Sequence, residues 1–167
     1  NGWYCFIDLF VSFSRTKGIR GASNKKVVKD SFGAIVRGDS LQKQLALVFT
    51  GHDLADGGLT VLKILKEKDV KGSFFLTGDF LRTSKFRSVV KEIKRNKHYL
   101  SAHSDKHLLF SDWDNRQGLL VTKDSFIQDL EMNFRELEKL GFRTDNKYFI
   151  PSYEWYNQEI VAWSEEM

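Results

Sequence analysis

At 167 residues, with 41% apolar and 29% charged side chains, the chain is long enough to bury one core and too apolar to be disordered. Its 26 lysines and arginines against 22 aspartates and glutamates leave a net charge of only +4, with the signs interleaved, which argues against a nucleic-acid-binding face. The single cysteine, Cys5, excludes an internal disulfide and a cysteine-rich zinc site, and no apolar run reaches membrane-spanning length.

The first forty residues carry glycines at 18, 21, 33 and 38 and no clear period, so they are expected to form an irregular extension. Within it, "WYCFIDLFVSF" (Trp3–Phe13) is apolar but short, holds Asp8 and follows no basic residues, which makes it a poor signal peptide. The start at asparagine rather than methionine is expected of a processed or incomplete sequence. Lys17 to Lys29 is the densest basic stretch; without interleaved aromatics it reads as a solvated segment.

From Leu45 the pattern becomes an alternation of strands and helices. "LALVF" (Leu45–Phe49) is a buried-type strand, and Leu59–Lys68 has helical spacing through Leu62 and Leu65. "GSFFL" (Gly72–Leu76) is a second strand, followed by an amphipathic helix over Ser84–Asn96 with Phe86, Val89, Val90 and Ile93 on one face. His98–Ala102 is a third strand. Thr122 is placed to cap a long helix whose stripe is Phe126, Leu130, Phe134, Leu137 and Leu140, and Gly141 ends it. Tyr148–Ile150 is a fourth strand, and Asn157 caps a last helix running from Gln158 to about Trp163. Four strand–helix units predict a parallel sheet with helical crossovers, either an open doubly wound sheet or a barrel. "FTGHDLADGG" after the first strand fits neither a dinucleotide fingerprint nor a P-loop.

In such folds the carboxyl ends of the strands share one face, where sites form. His52 and Asp53 follow the first strand, His103 and His107 the third, and Ser152, Tyr153 and Glu154 the fourth. Three segments thus bring polar groups to one rim. Neutral imidazoles with a carboxylate are the donor set of zinc and related cations, and hydrolytic sites of this kind leave one position for water. The H-x-x-x-H spacing of His103 and His107 alone is equally that of two loop histidines.

On these residues the chain resembles the polysaccharide deacetylase family, the NodB-like carbohydrate esterases. "HSDKH" (His103–His107) matches the family's H-[S/T]-x-x-H, and His98 matches the histidine that often opens that strand. "GSFFLTG" (Gly72–Gly78) resembles A-T-F-F with its glycine, "LALVF" sits where a strand leads into T-F-D-D, and "FIPSY" (Phe149–Tyr153) sits where the family has F-R-P-P-Y. The likeness runs from about Ala34 to Met167. It implies a parallel-stranded (β/α) barrel of the NodB-like type, a distorted TIM-like barrel, present here as an incomplete N-terminal portion. The expected division is an extension over 1–40 and a deacetylase domain over 41–167.

The resemblance further implies removal of acetyl groups from an N- or O-acetylated polysaccharide, a divalent metal (zinc, or nickel, cobalt or manganese), and a place outside the cytoplasm. Its metal ligands fall on His103 and His107. The family's acidic pair, catalytic base and third ligand, falls near Thr50 and Gly51; counting back from Phe74 places the third ligand at His52, or at Asp53 with a one-residue slip. Asp53 preserves the family's carboxylate. The arginine that orients the family's base is Ile150 here, so base and partner are replaced together, and Glu154 or His52 is expected to take over as base. Tyr153 matches the position whose backbone binds the developing oxyanion. Trp113 and Trp155 are expected either to pack against a sugar ring or to fill core space. The family's general acid lies on later strands that this sequence does not include. Loss of the acidic pair and arginine also fits a carbohydrate-binding relative without catalysis. Oligomeric state has no signature in the sequence.

Overall fold

The structure is a computed structural model that describes residues 5–6, 27–39, 41, 43, 45–144 and 148–167. Most of the Trp3–Phe13 stretch, and Lys17 through Lys26 of the basic stretch, lie outside the described residues. One four-stranded sheet has the order β1 (Cys5–Phe6), β4 (Val48–Gly51), β5 (Ser73–Leu76), β6 (Tyr99–Ala102). β4, β5 and β6 are parallel and in one register, with Gly51, Leu76 and Ala102 level at their ends. β1 pairs antiparallel with β4 at the sheet's edge.

Alternation along these strands sorts two faces. Phe49, Phe74, Leu76, Leu100 and Ala102 point to the helical side and join the main core. Ala46, Val48 and Phe75 point the other way, with Tyr99 and Ile150 against them. Helices α1 (Gly58–Glu67), α2 (Gly78–Arg82), α3 (Arg87–Arg95), α4 (Lys123–Lys139) and α5 (Gln158–Glu165) follow. α3 buries Val89, Val90 and Ile93, each worth roughly 1.5–3 kcal/mol against exposure. Between the helices and the sheet, Phe74 stacks on Phe49 at 4.9 Å, Phe80 on Phe86 at 4.4 Å, and Phe110 meets Phe126 edge-on at 5.0 Å.

The helix ends follow their capping chemistry. Thr122 Oγ1 accepts the Ser125 N–H while Ser125 Oγ accepts that of Thr122, a reciprocal capping box. At the other end of α4, Gly141 takes a φ of 73°, and the Gly141 and Phe142 N–H groups return to the carbonyls of Glu138 and Leu137 in a Schellman turn. Asn157 Oδ1 accepts from Ile160 N and caps α5.

Three expectations are corrected. Tyr148–Ile150 is not a full strand: Phe149 makes one parallel bridge to Ala102, and the chain then turns away in a 3₁₀ turn that begins at Ser152. The helix expected over Ser84–Asn96 begins as a 3₁₀ turn (Ser84–Phe86), and the short α2 precedes it, capped by Thr77. The expected irregular extension holds a hairpin of β2 (Val28–Lys29) and β3 (Ile35–Arg37), whose turn is held by Asp30 Oδ1 accepting from Phe32 and Ala34. This hairpin docks on the later part of the chain. Lys29 pairs with Glu165 at 2.7 Å, the Tyr156 hydroxyl donates to Asp30 Oδ2, and the Arg116 guanidinium lies 4.4 Å from the Phe32 ring and 4.0 Å from that of Trp155. A cavity of about 820 Å³ lies between the hairpin, α5 and the sheet, lined by Val36, Val48, Thr50, Ile150, Glu154 and Ile160 among others. Among the described residues no helix is long and apolar enough to cross a membrane.

At the opposite end of β6 from the rim, buried His98 accepts the Gly72 N–H on Nδ1 at 3.1 Å, so its proton sits on Nε2. Burial, then the nearby Lys71 charge, holds its pKa below the ordinary 6.5. A histidine depressed on folding binds its proton more readily when unfolded, so its contribution is complete above that value and drains as pH falls below it. Urea unfolding of the wild type is therefore expected to weaken from pH 7.5 to pH 5. His98→Gln is expected to show a smaller drop over that window; an equal drop in both proteins refutes the assignment.

Candidate functional site

Because β4, β5 and β6 end level, the residues after them meet. His52 follows β4, Thr77 follows β5, and His103 follows β6. His107 lies flat on His52, with ring centres 4.5 Å apart and planes 7° apart, and meets His103 at 5.0 Å and 60°. On the other side His107 touches Tyr153 at 4.4 Å. Tyr153 meets Trp113 at 5.6 Å, and Trp113 meets Trp155 at 5.3 Å. The chain of rings thus runs from a buried histidine to an exposed tryptophan: His103 is 2% exposed and Trp113 54%.

His103 is tightly defined. Its Nδ1 lies 2.8 Å from the Ile150 carbonyl oxygen, which can only accept, so Nδ1 carries the proton and Nε2 the lone pair. Burial drives its pKa down to about 3, against the opposing pull of that carbonyl and with small contributions from His107 and His52. Burial likewise lowers His107 to about 4, with His52 adding to the effect and the Asp53 charge opposing it. Both rings are neutral at pH 7. His52 Nδ1 lies 3.2 Å from Thr77 Oγ1, the hydroxyl that also caps α2 by accepting from Phe80 N.

The backbone carrying the two histidines is twisted: Ser104 has a φ of 70° and His107 of 56°. Two side chains one turn apart on α4 hold it. Asn133 Oδ1 accepts the His103 N–H at 2.9 Å, and Asp129 accepts those of Asp105 at 2.8 Å and Lys106 at 3.0 Å. Asp105 is itself buried and paired in a fork with Arg82 at 2.6 and 2.9 Å. α2 starts at Gly78 because nothing larger fits: a Cβ there would lie 1.7 Å from Asp105 Oδ1.

The other segments complete the rim. Tyr153 and Glu154 have φ of 61° and 52° in the 3₁₀ turn Ser152–Glu154. Glu154 is half-buried and lines the cavity beside Thr50 and Ile150, whereas Tyr153 is exposed against His107. Trp155 is half-buried and donates its Nε1–H to the Asp112 carbonyl. The Ile150 side chain packs with Val48 and Phe75, making a neutral wall at the position that the resemblance matched to an arginine. Gly51 allows no simple return of the acid, since a Cβ would stand 2.9 Å from Leu76 and 3.3 Å from Phe80. Among the described residues, no three His, Cys, Asp or Glu side chains converge as a metal cluster. Parallel rings direct their in-plane lone pairs side by side rather than to one point, and Asp53 is exposed at the rim. The neutral imidazoles of His103 and His107, one with its tautomer fixed, nonetheless have the donor chemistry that a divalent cation takes.

The sequence reading missed Thr77, Asp129, Asn133 and the Arg82–Asp105 pair. The one visible signal was the pair Asp129 and Asn133, polar residues three after Phe126 and Leu130 on the buried side of an otherwise apolar stripe.

The polysaccharide deacetylase family model matches residues 40–167. The chain belongs to the polysaccharide deacetylase family. Its fold is the NodB-like (β/α) barrel, of which the described sheet and helices form a part. It is 25% identical over 140 residues to an uncharacterised 30.6 kDa protein in the fumA 3′ region of Geobacillus stearothermophilus, covering 82% of this chain and 48% of that one. The chain thus spans about half the length of the curated relative it matches. A family 4 carbohydrate esterase from Bacillus anthracis superposes with a TM-score of 0.61 at 24% identity, over 72% of this chain and 53% of its own. The esterase domain of a multidomain xylanase from the hindgut metagenome of Trinervitermes trinervoides gives 0.57 at 24%, over 70% and 52%. A family 4 pseudoenzyme from Bacillus anthracis gives 0.55 at 23%, over 71% and 39%. These likenesses speak for the fold.

Asp105 has no exposed side-chain surface, so removing its counter-charge leaves a buried carboxylate poorly compensated. Arg82→Met is expected to destabilise the protein by about 3 kcal/mol in chemical denaturation, and Arg82→Met with Asp105→Leu to recover much of it. A single variant within 0.5 kcal/mol of wild type would contradict this.

Proposed function

We propose that this domain removes acetyl groups from an N- or O-acetylated polysaccharide, as a metal-dependent hydrolase acting outside the cytoplasm. The observation that carries the reading is the pairing of two neutral histidines, His103 and His107, at the rim where the three parallel strands end. These two would hold zinc, nickel, cobalt or manganese, with Asp53 as third ligand and His52 as the alternative. A cation bound there supplies polarisation of the acetyl carbonyl and acidification of a water molecule.

The remaining steps belong to side chains and backbone. Ile150, through its carbonyl, keeps the His103 lone pair directed away from the barrel backbone. Glu154, or His52 steadied by Thr77, takes the proton from water as it attacks. The Tyr153 backbone, turned by its left-handed φ, meets the oxygen that becomes negative. Trp113, exposed beside Tyr153, offers an aromatic face to the apolar side of a pyranose ring, and Trp155 supports it.

A second reading is favoured by one observation. Thr50, Gly51 and Ile150 leave no acid–arginine pair beneath the histidines, which suits a relative that binds carbohydrate without cleaving it.

Metal content and acetate release by the full-length protein, over a panel of acetylated glycans, separate the two. Deacetylation requires that His103→Ala with His107→Ala lose both the metal and the acetate, and that Glu154→Gln slow turnover by roughly 10²–10⁴-fold if it is the base. Metal retained in the double histidine variant would sink the ligand assignment. Glycan binding with no acetate from any substrate would establish the second reading.

A further inference from the structure

We propose that Asp129 and Asn133 are positioning residues that set the spacing of the His103 and His107 rings; the link to metal rests on the ligand reading above, while the positioning does not. The five residues His103–His107 lead from a histidine at a strand end to one in a left-handed turn. Two of them, Ser104 and His107, have positive φ without being glycine, a conformation that persists only where surroundings impose it. The imposing groups come from one helix. Asn133 takes the N–H of His103, the last residue before the twist begins. Asp129 takes the next two loop N–H groups that follow Ser104, those of Asp105 and Lys106, and is also bonded by the Ser104 side chain.

Asn133 is informative about purpose. It is fully buried, and its Nδ2 has no hydrogen-bond partner among the described residues. A buried amide with an unsatisfied NH₂ is costly, and an apolar residue would continue the stripe of Phe126, Leu130, Phe134 and Leu137. The bond that Oδ1 makes to the loop offsets that cost. Asp129 is likewise buried on the same face, and its carboxylate is bonded to three consecutive loop residues, through the Ser104 side chain and the Asp105 and Lys106 N–H groups. The helix therefore reads the loop backbone at fixed points, one turn apart. It transmits its own rigidity, set by the Thr122 box and the Gly141 turn, to the loop that carries the two imidazoles.

The test uses the full-length protein. Long-range ¹⁵N NMR of the metal-free form reports the Nδ1–H of His103 and the ring nitrogens of His107, and a competition titration reports zinc affinity. Asp129→Asn turns an acceptor into a donor facing an N–H, and Asn133→Ala removes one bond only, so it remains informative should the first variant fail to fold. Both are expected to move the ring signals of His103 and His107 and to weaken zinc binding roughly 10- to 100-fold. Leu140→Ala, at the end of the same helix, is expected to lower the thermal midpoint with ring signals and zinc affinity unchanged, which separates positioning from general stability. Unmoved ring signals in the Asp129 and Asn133 variants overturn the proposal, as does unchanged zinc affinity when the wild type binds zinc. A wild type that binds no zinc defeats the ligand reading instead, and the ring signals then decide the positioning alone.

Discussion

Parallel pairing of β4, β5 and β6 in a single register is the constraint on which the rim depends. With Gly51, Leu76 and Ala102 level, the next residue of each strand emerges at one height, and His52, Thr77 and His103 become neighbours although twenty-five or more positions separate each from the next. A slip of one residue in any strand would send its side chains to the other face. The register is held by burial on both faces: Phe74 and Leu76 beneath the helices, Val48 and Phe75 against Ile150. The site is therefore a consequence of the core, with little of its geometry left to the loops.

Much of this was legible. Helix spacing, the Thr122 and Asn157 caps and the buried strands are local signals, and local signals suffice where a residue's partners are three or four positions away. The HSDKH motif placed His103 and His107 because its meaning depends on the strand end, which the apolar runs marked. What escaped depends on partners far along the chain. Asn133 sits thirty residues from the N–H it serves, and within its own helix it looks like a defect in an apolar stripe. The β2–β3 hairpin lacks length and period, and its order comes from contacts with Arg116, Tyr156 and Glu165. Tyr148–Ile150 read as a strand from composition, while the turn at Ser152–Glu154 ends it after one bridge.

The departures from the family pattern form a consistent set. Replacing the expected arginine by Ile150 without also removing its carboxylate would bury an unpaired charge; here Thr50, Gly51 and Ile150 are neutral together. The carboxylates that follow these segments lie farther out, Asp53 exposed at the rim and Glu154 at the cavity's edge. Meanwhile the one buried carboxylate near the histidine loop that has a full counter-charge, Asp105, faces away into Arg82 and serves the scaffold.

Arg116 joins two parts of the molecule that lie far apart along the chain. Its guanidinium touches Phe32 in the hairpin, which precedes the segment matching the family, and Trp155, which stands beside the exposed aromatic wall. The wall and the histidines touch through Tyr153, but each also has a support of its own, the first a cation held between rings, the second a helix. Variation in residues 28–37 can therefore shift the support of Trp155 while the register that sets the strand ends stays as it is. In such an architecture, the two ends of the ring row answer to different mechanical supports.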